Sequence, residues 1–373
     1  MGYRCVVILP FSLRLGELFS GPGGMGFGAS QASLMVGDQQ VGFKHAWAND
    51  IEADACRTYL RNIPEADRDT VYNEDVRTLA IEKLSAIDCL AFGFPCNDFS
   101  VVGEQKGFDG NFGPLYSYGV KVLERFAPIC FVAENVGGLA SANEGSAFAK
   151  ILEDLRTAGP GYILHQQIYK AEEYGVPQKR RRILIVGIRK DLDRTFTPPS
   201  PTTKDKPPTV RDALITQPVP ADAFNNELTR QSDQVVARLK HIRAGENAFN
   251  ATLPAGLELN VKGARISQIY RRLHPDQPAY TVTGSGGGGT HVYHWEENRA
   301  LTNRERARLQ GFPDDYEFIG TKESVRKQIG MAVPPPLARA IFTALLESLH
   351  GIAEHRTDII QHALVMETKG NYA

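Results

Sequence analysis

The 373 residues carry 42 Lys and Arg against 43 Asp and Glu, a formal net charge of -1, with 42% hydrophobic and 23% charged residues. That balance excludes the disordered and fibrous classes and fits a folded chain with one large domain and one smaller one. A protein that coats nucleic acid without selectivity is strongly basic, so contact with a polyanion has to come from a local basic face. The runs available are Lys179 to Arg182, Arg238 to Arg243, and Arg271-Arg272. Each run also reads, more plainly, as a solvated surface. Five cysteines, Cys5, Cys56, Cys89, Cys96 and Cys130, are an odd set without CxxC spacing. They point to a reducing cytoplasm and argue against disulfides and a structural zinc site. The apolar runs are strand-sized, so no membrane span is expected, and the opening Met1 to Phe11 lacks a signal-peptide cleavage site.

In chain order, Leu13 to Phe19 reads as a strand and Ser20 to Gly24 as a glycine-rich turn. A helix to about Val36 follows, then a strand Phe43 to Asn49 and a helix Glu52 to Asn62. Cys89 to Phe94, Ile129 to Ala133 and Arg182 to Ile188 are further strands, and Ala147 to Ala158 has helical periodicity. Strands alternating with helices predict an α/β fold with a mostly parallel sheet. Pro198, Pro199, Pro201, Pro207 and Pro208 then mark a boundary. From there to about Asn298 the texture is irregular, which predicts loops and short strands around the run Gly284 to Gly289. Helix returns at Thr302 to Gln310, where Thr302 and Glu305 have capping-box spacing. A last helix, Pro336 to Leu349, is expected to pack back on the first domain. The expected division is a catalytic domain of residues 1–195 and 325–373, a second domain of 196–298 and a hinge of 299–324.

Four segments carry chemistry. Phe19-Ser20-Gly21-Pro22-Gly23-Gly24 joins a strand to a helix, which suits a nucleotide-like ligand. It lacks the GxGxxG spacing of dinucleotide sites. Asp50 ends the next strand, where a carboxylate can accept from ribose hydroxyls, and Asp75 sits at a following turn where it could take an adenine amino group. Either Asp reads equally as a helix cap or turn residue. Gly93-Phe94-Pro95-Cys96-Asn97-Asp98-Phe99-Ser100 opens a polar loop at the carboxyl end of a strand, the place where α/β active sites form. Glu134 ends the apolar strand Phe131-Val132-Ala133, a costly position for a carboxylate without a task or a partner. In Gln178-Lys179-Arg180-Arg181-Arg182 alternation puts Arg180 and Arg182 on one side and Arg181 on the other.

These segments, in this order, resemble the DNA (cytosine-5)-methyltransferase family over most of the chain. The family's cofactor turn is matched by Phe19 to Gly24, its Pro-Cys motif by Gly93 to Ser100, its Glu-Asn-Val by Glu134 to Val136, and its Gln-x-Arg-x-Arg by Gln178, Arg180 and Arg182. Arg299 to Pro313 is similar to the hinge-side motif, and Gln328 to Pro334 to the last one. The chain departs from the pattern at Asn97, where the family has Gln, at Met331, where it has Asn, and at Phe112, where it has Arg.

The resemblance implies a Rossmann-like methyltransferase domain using S-adenosylmethionine, with no metal, and a target-recognition domain at 196–298 acting on double-stranded DNA. It implies catalysis by Cys96, Glu134, Arg180 and Arg182. The cofactor would be held by Phe19, Ser20, Gly21, Pro22, Gly23, Gly24, Asp50, Ile51, Asp75, Val76, Pro95 and Leu115. A thiolate adding at C6 would activate C5 of a flipped-out cytosine. Glu134 would protonate N3, Arg182 would hold O2, Arg180 would steady Cys96, and the loop Val101 to Gly113 would close over the base. The lack of a regulatory domain before Leu13 leads to the expectation of a monomeric prokaryotic modification enzyme in the cytoplasm, with a partner endonuclease acting independently. An RNA cytosine methyltransferase of the same chemistry and a non-catalytic DNA-binding module are the alternatives. The long insert favours duplex DNA over RNA, and the complete residue set favours an enzyme over a binding module.

Overall fold

The computed structural model describes residues 9–95, 115–137, 146–259, 268–287 and 289–352. Cys96, the loop 101–113 with Phe112, and Asn97 lie outside the described residues.

One eight-stranded sheet organises the chain. Its strands are β1 (Ser12–Leu18), β2 (Ser33–Val36), β3 (Gln39–Asp50), β4 (Val71–Asn73), β5 (Cys89–Gly93), β6 (Cys130–Val136), β7 (Tyr162–Lys170) and β8 (Arg181–Arg189). They lie in the order β2-β3-β1-β5-β6-β8-β7, with β4 beside β3. The centre is parallel (β4·β3, β3·β1, β1·β5 and β5·β6), while β2·β3, β6·β8 and β8·β7 are antiparallel. Strands β5 and β6 are buried almost throughout, and their sequences, Cys-Leu-Ala-Phe and Cys-Phe-Val-Ala, are continuous apolar runs as two-sided burial requires.

Helices α1 (Gly24–Ser30), α2 (Ala53–Asn62), α3 (Tyr116–Phe126) and α4 (Ser146–Thr157) cover the sheet. The expected helix to Val36 stops at Ser30. Residues 33–50 instead form the β2–β3 hairpin, whose two-residue loop Gly37-Asp38 places Gly37 at φ 59°. A glycine at the first loop position is a hairpin signal, and it outweighed the helical spacing upstream.

The chain returns to the sheet at its end. Helix α7 (Asn303–Leu309) starts with the expected capping box: Thr302 accepts from Glu305 N–H and the Glu305 carboxylate accepts from Thr302 N–H. Helices α8 (Lys322–Met331) and α9 (Pro335–Leu349) follow. By length and composition alone, Lys322–Leu349 would pass as a membrane-length apolar stretch, but 72% of its most apolar window is buried inside the protein. The stretch is also broken between α8 and α9. Helix α9 inserts Leu337, Ile341, Phe342 and Leu345 into the core under β1 and β3, each such burial contributing roughly 1.5–3 kcal/mol. The contact of α1 with α9 and the residues just before it depends on missing side chains: a Cβ on Gly28 would meet the Ala338 Cβ at 2.5 Å, and one on Gly24 the Val333 carbonyl at 2.3 Å.

The expectation of short strands in the irregular region is corrected. Among the described residues it holds two short helices, α5 (Val210–Leu214) and α6 (Asp233–Leu239), and isolated bridges rather than strands. Its prolines and glycines leave too few consecutive ladder donors for a sheet. In two of the basic runs one arginine proves structural, while Lys240, His241 and Arg243 are exposed. Arg272 is 3% exposed and donates to the carbonyls of His294, Glu297 and Leu239, and Arg238 donates to those of Leu257 and Glu258 and to the Tyr270 hydroxyl.

Candidate active site

The parallel strands end on one side of the sheet, and the expected site residues collect there. The antiparallel β8 begins at that same side, which brings in the arginines.

After β1, Phe19 takes φ 55° and Gly21 takes φ 54°, so the chain turns sharply before α1. The turn is tied to β3: Ser20 N–H donates to Asn49 O at 3.0 Å, and Gly21 N–H to Asp50 Oδ2 at 2.7 Å. From below, the Tyr316 hydroxyl donates to Pro22 O. Asp50 Oδ1 also accepts from Glu52 N–H at 2.9 Å. Burial pushes the Asp50 pKa up, and the N–H donors of Glu52 and Gly21 hold it down. Each carboxylate oxygen keeps a further lone pair for a ligand.

Two features of this turn fit a nucleoside-bearing ligand. The Ser20 Oγ is buried without a partner among the described residues, and the Ile51 side chain is 62% exposed beside Asp50, an apolar face open for stacking. Asp75 is differently employed. It accepts from Arg77 Nε at 2.9 Å and from Arg77 N–H, the turn role that was the plainer reading, and the Arg77 guanidinium lowers its pKa. Val76 is 4% exposed and packs in the cluster of Leu79, Phe94 and Tyr116, so its side chain supports the turn from beneath. Leu115 precedes α3 and packs partly buried on the same cluster. Pro95 is the last described residue before Cys96.

Glu134 and Arg182 form the centre of the arrangement. In the β6·β8 ladder Arg182 pairs with Val136, which puts it diagonal to Glu134 on one face. Their side chains close to 2.7 Å between Arg182 Nε and Glu134 Oε1, at 12% and 11% exposure. Burial raises the Glu134 pKa, with Arg182 and Arg180 opposing it. Gly93, the last residue of β5, pairs with Glu134, and a Cβ there would lie 3.2 Å from Glu134 Oε2. The segment that leads to Cys96 therefore leaves the sheet directly beside the carboxylate.

Arg180 and Arg182 share a side as alternation predicts, with Arg181 exposed. Arg180, 1% exposed, turns away from the pair to donate to Gly330 O and Ala332 O at 2.9 Å and Val282 O at 3.3 Å. Burial lowers its pKa, with the neighbouring Arg182 charge next in effect. Gln178 completes the clamp, accepting from Val282 N–H at 2.9 Å and donating to Leu309 O at 3.1 Å. The Gln-x-Arg-x-Arg motif thus fastens the late segments to the sheet. Met331 is 64% exposed between the two carbonyls that Arg180 holds, so its departure from the family pattern leaves that anchor intact.

Three asparagines belong to the site although none was among the expected residues. Asn49 donates to Tyr72 O and Glu74 O, Asn73 to Asp50 O and Ile51 O, and Asn135 to Phe94 O at 3.1 Å. Each stitches the exit of one strand to its neighbour. Their signal is an Asn next to an acidic residue at the end of each of three strands: Asn49-Asp50, Asn73-Glu74 and Glu134-Asn135.

The family model of C-5 cytosine-specific DNA methylases matches residues 13–347. The chain is 60% identical over 342 residues to the Type II methyltransferase M.BbvI of Brevibacillus brevis, covering 90% of this chain and 91% of that one. It is 38% identical over 371 residues to M.NgoFVII of Neisseria gonorrhoeae, covering 95% and 94%. A solved structure described as a DNA modification methyltransferase encoded within an E. coli prophage superposes with TM-score 0.69 at 25% identity, covering 91% of this chain and 99% of that one. The Dnmt2 methyltransferase of S. pombe, at 17% identity and TM-score 0.57 with 91% and 99% covered, shares the fold.

Proposed function

The chain belongs to the C-5 cytosine-specific DNA methylase family, and from that premise we propose how its residues methylate C5 of cytosine in DNA. The observation that carries the reading is the buried Glu134–Arg182 pair beside the strand exit that leads to Pro95-Cys96.

S-adenosylmethionine, when bound, supplies the methyl group. The residues to hold it are those of the Phe19–Gly24 turn with Asp50 and Ile51, and the unpartnered Ser20 hydroxyl and the exposed Ile51 face support that assignment. Asp75, Val76, Pro95 and Leu115 complete the set, Asp75 after release from Arg77 or through its turn.

The target base is turned out of the duplex, since C6 of a stacked cytosine is out of reach of a side chain. The Cys96 thiolate adds to C6, and the displaced electron pair moves into the ring as Glu134 gives a proton to N3. A carboxyl group whose pKa burial has raised is suited to hold that proton. Arg182 stabilises the charge at O2. After methylation, water takes the C5 proton, its electron pair restores the C5–C6 double bond as the S–C6 bond breaks to release the Cys96 thiolate, and N3 returns its proton to Glu134. Arg180 acts through position, by holding the 282 and 330–332 segments against the sheet.

The segment 196–298 selects the duplex sequence, and the enzyme acts as a monomer, the modification partner of an independent endonuclease in the cytoplasm. Bisulfite sequencing of DNA from cells expressing the wild-type chain should show one methylated motif, lost in Cys96→Ser. Methylation of tRNA with none in DNA would overturn the substrate assignment.

A further inference from the structure

Beneath the turn 284–287, the arginines Arg306 and Arg326 lie close enough for each charge to act on the other. Arg306 of α7 is 1% exposed. Its Nη2 reaches His291 Nδ1 at 3.3 Å, while its Nε and Nη1 have no partner among the described residues. Arg326 of α8 has a buried Nε without a partner among the described residues. It lies directly under the turn, where a Cβ on Gly286 would sit 2.3 Å from that nitrogen. The hydroxyl of Tyr293, whose ring is 6.1 Å from that of His291, is a further buried group without a partner among the described residues.

Glu305, the acid whose charge acts on Arg306, is already spent: it accepts from both terminal nitrogens of Arg299 and from Thr302 N–H. Burial and then the Arg326 charge lower the Arg306 pKa to about 10, the mark of a cation held without compensation. Such a group costs stability unless an anion arrives to pair with it. Above it, a Cβ on Gly287 would meet nothing within 4 Å, and Thr283 and Ser285 present exposed hydroxyls 2.7 Å apart. The turn is therefore open on its outer side, and its missing side chains allow close backbone approach.

We propose that Arg306 and Arg326, with His291, Tyr293 and the glycine turn 284–287, form a phosphate site filled by one backbone phosphodiester of the DNA. The inference rests on the reading of the chain as a DNA methylase. It adds a consequence: a phosphate seated here bears on Thr283-Gly284, which pack against Gly330, whose carbonyl Arg180 holds. Backbone contact and the catalytic edge of the sheet are thereby joined by one short segment.

The test compares the wild-type chain, Arg326→Gln and Arg306→Met. Affinity for a short mixed-sequence duplex is measured across a range of salt, and melting with and without inorganic phosphate. Each variant should bind duplex more weakly, with the slope of log affinity against log salt smaller by about one, as for one lost phosphate contact. Arg306→Met should melt at or above the wild-type temperature, because an uncompensated buried charge is gone. Unchanged duplex affinity and slope in both variants would overturn the proposal while leaving the methylase reading in place. A phosphate-dependent rise in melting confined to the wild type, with unchanged salt slopes, would assign the pocket to a free anion and overturn the DNA assignment. An Arg306→Met protein that melts well below wild type, with Arg326→Gln binding DNA normally, would make the cluster structural and overturn it as well. A wild-type chain that binds no duplex would overturn the functional reading and this inference together.

Discussion

Arg182 Nε lies 2.7 Å from Glu134 Oε1, both side chains nearly buried, at the point where an antiparallel strand begins beside the carboxyl ends of parallel ones. Neither residue could reach the other in a wholly parallel sheet, where β8 would end rather than begin at this edge. The reversed strand is what supplies a guanidinium to the site. The pair is buried but satisfied, so each partner raises the cost of removing the other.

Replacement of Glu134 by Gln keeps the shape and a hydrogen bond to Arg182 but removes the transferable proton. Single-turnover methylation should fall by roughly 10²-fold or more, with cofactor affinity by calorimetry retained. Asp50→Ala should show the opposite division. It frees Gly21 N–H and Glu52 N–H, loosens the turn, and weakens S-adenosylmethionine binding first. The reverse pattern would mean the two carboxylates are misassigned.

Glu17 predicts a pH dependence. It is wholly buried at the end of β1, accepts from the Tyr59 hydroxyl at 2.8 Å, and burial raises its pKa from 4.5 to about 7. Below the ordinary glutamate value both folded and unfolded chains hold the proton. Above it the folded chain alone keeps it, so stability is lost as pH rises toward 7. Glu17→Gln accepts the same hydrogen bond without that loss. Between about pH 4 and about pH 8 its stability relative to wild type should improve by about 3 kcal/mol, read by urea unfolding. A difference independent of pH would place the proton elsewhere.

Arg180→Lys tests the clamp. A lysine offers a point charge and cannot span the Val282, Gly330 and Ala332 carbonyls together. Orphaning two of them should cost about 2–4 kcal/mol in chemical unfolding. Wild-type stability in this variant would show that the late segments are held by other contacts.

The strand edge that carries the candidate site was legible because continuous apolar runs mark buried strands and because Glu134 and Asp50 interrupt or end such runs. The capping box at Thr302 and Glu305 was legible for the same local reason. Strand β7 was not: it is an edge strand whose centre, Leu164 to Gln167, is largely polar, so alternation is lost. Structural arginines were read as surface because a charge run looks alike in both settings. Only the fold shows that Arg272 points at three carbonyls. Cavity-like relationships such as Arg306 over His291 join residues through packing, which no spacing along the chain encodes.

The segment 196–298 holds none of the proposed catalytic residues, yet residues 279–282 within it are tied to Gln178 and Lys179 by backbone and side-chain hydrogen bonds. Transplanting the whole segment into a related methyltransferase that has Gln at the matching position should transfer the methylated motif, scored by bisulfite sequencing. A folded, active chimera that keeps the host motif would put recognition in the catalytic domain.

The central claim is a covalent Cys96 adduct, and trapping tests it most directly. In a duplex bearing 5-fluorocytosine at the methylated position, fluorine cannot leave as the C5 proton does, so the S–C6 bond should persist. With S-adenosylmethionine present, the wild-type chain should give a complex that survives denaturation, and Cys96→Ser should give none. A complex that persists in Cys96→Ser, or a wild-type chain that methylates cytosine yet forms no trapped species, would contradict the account.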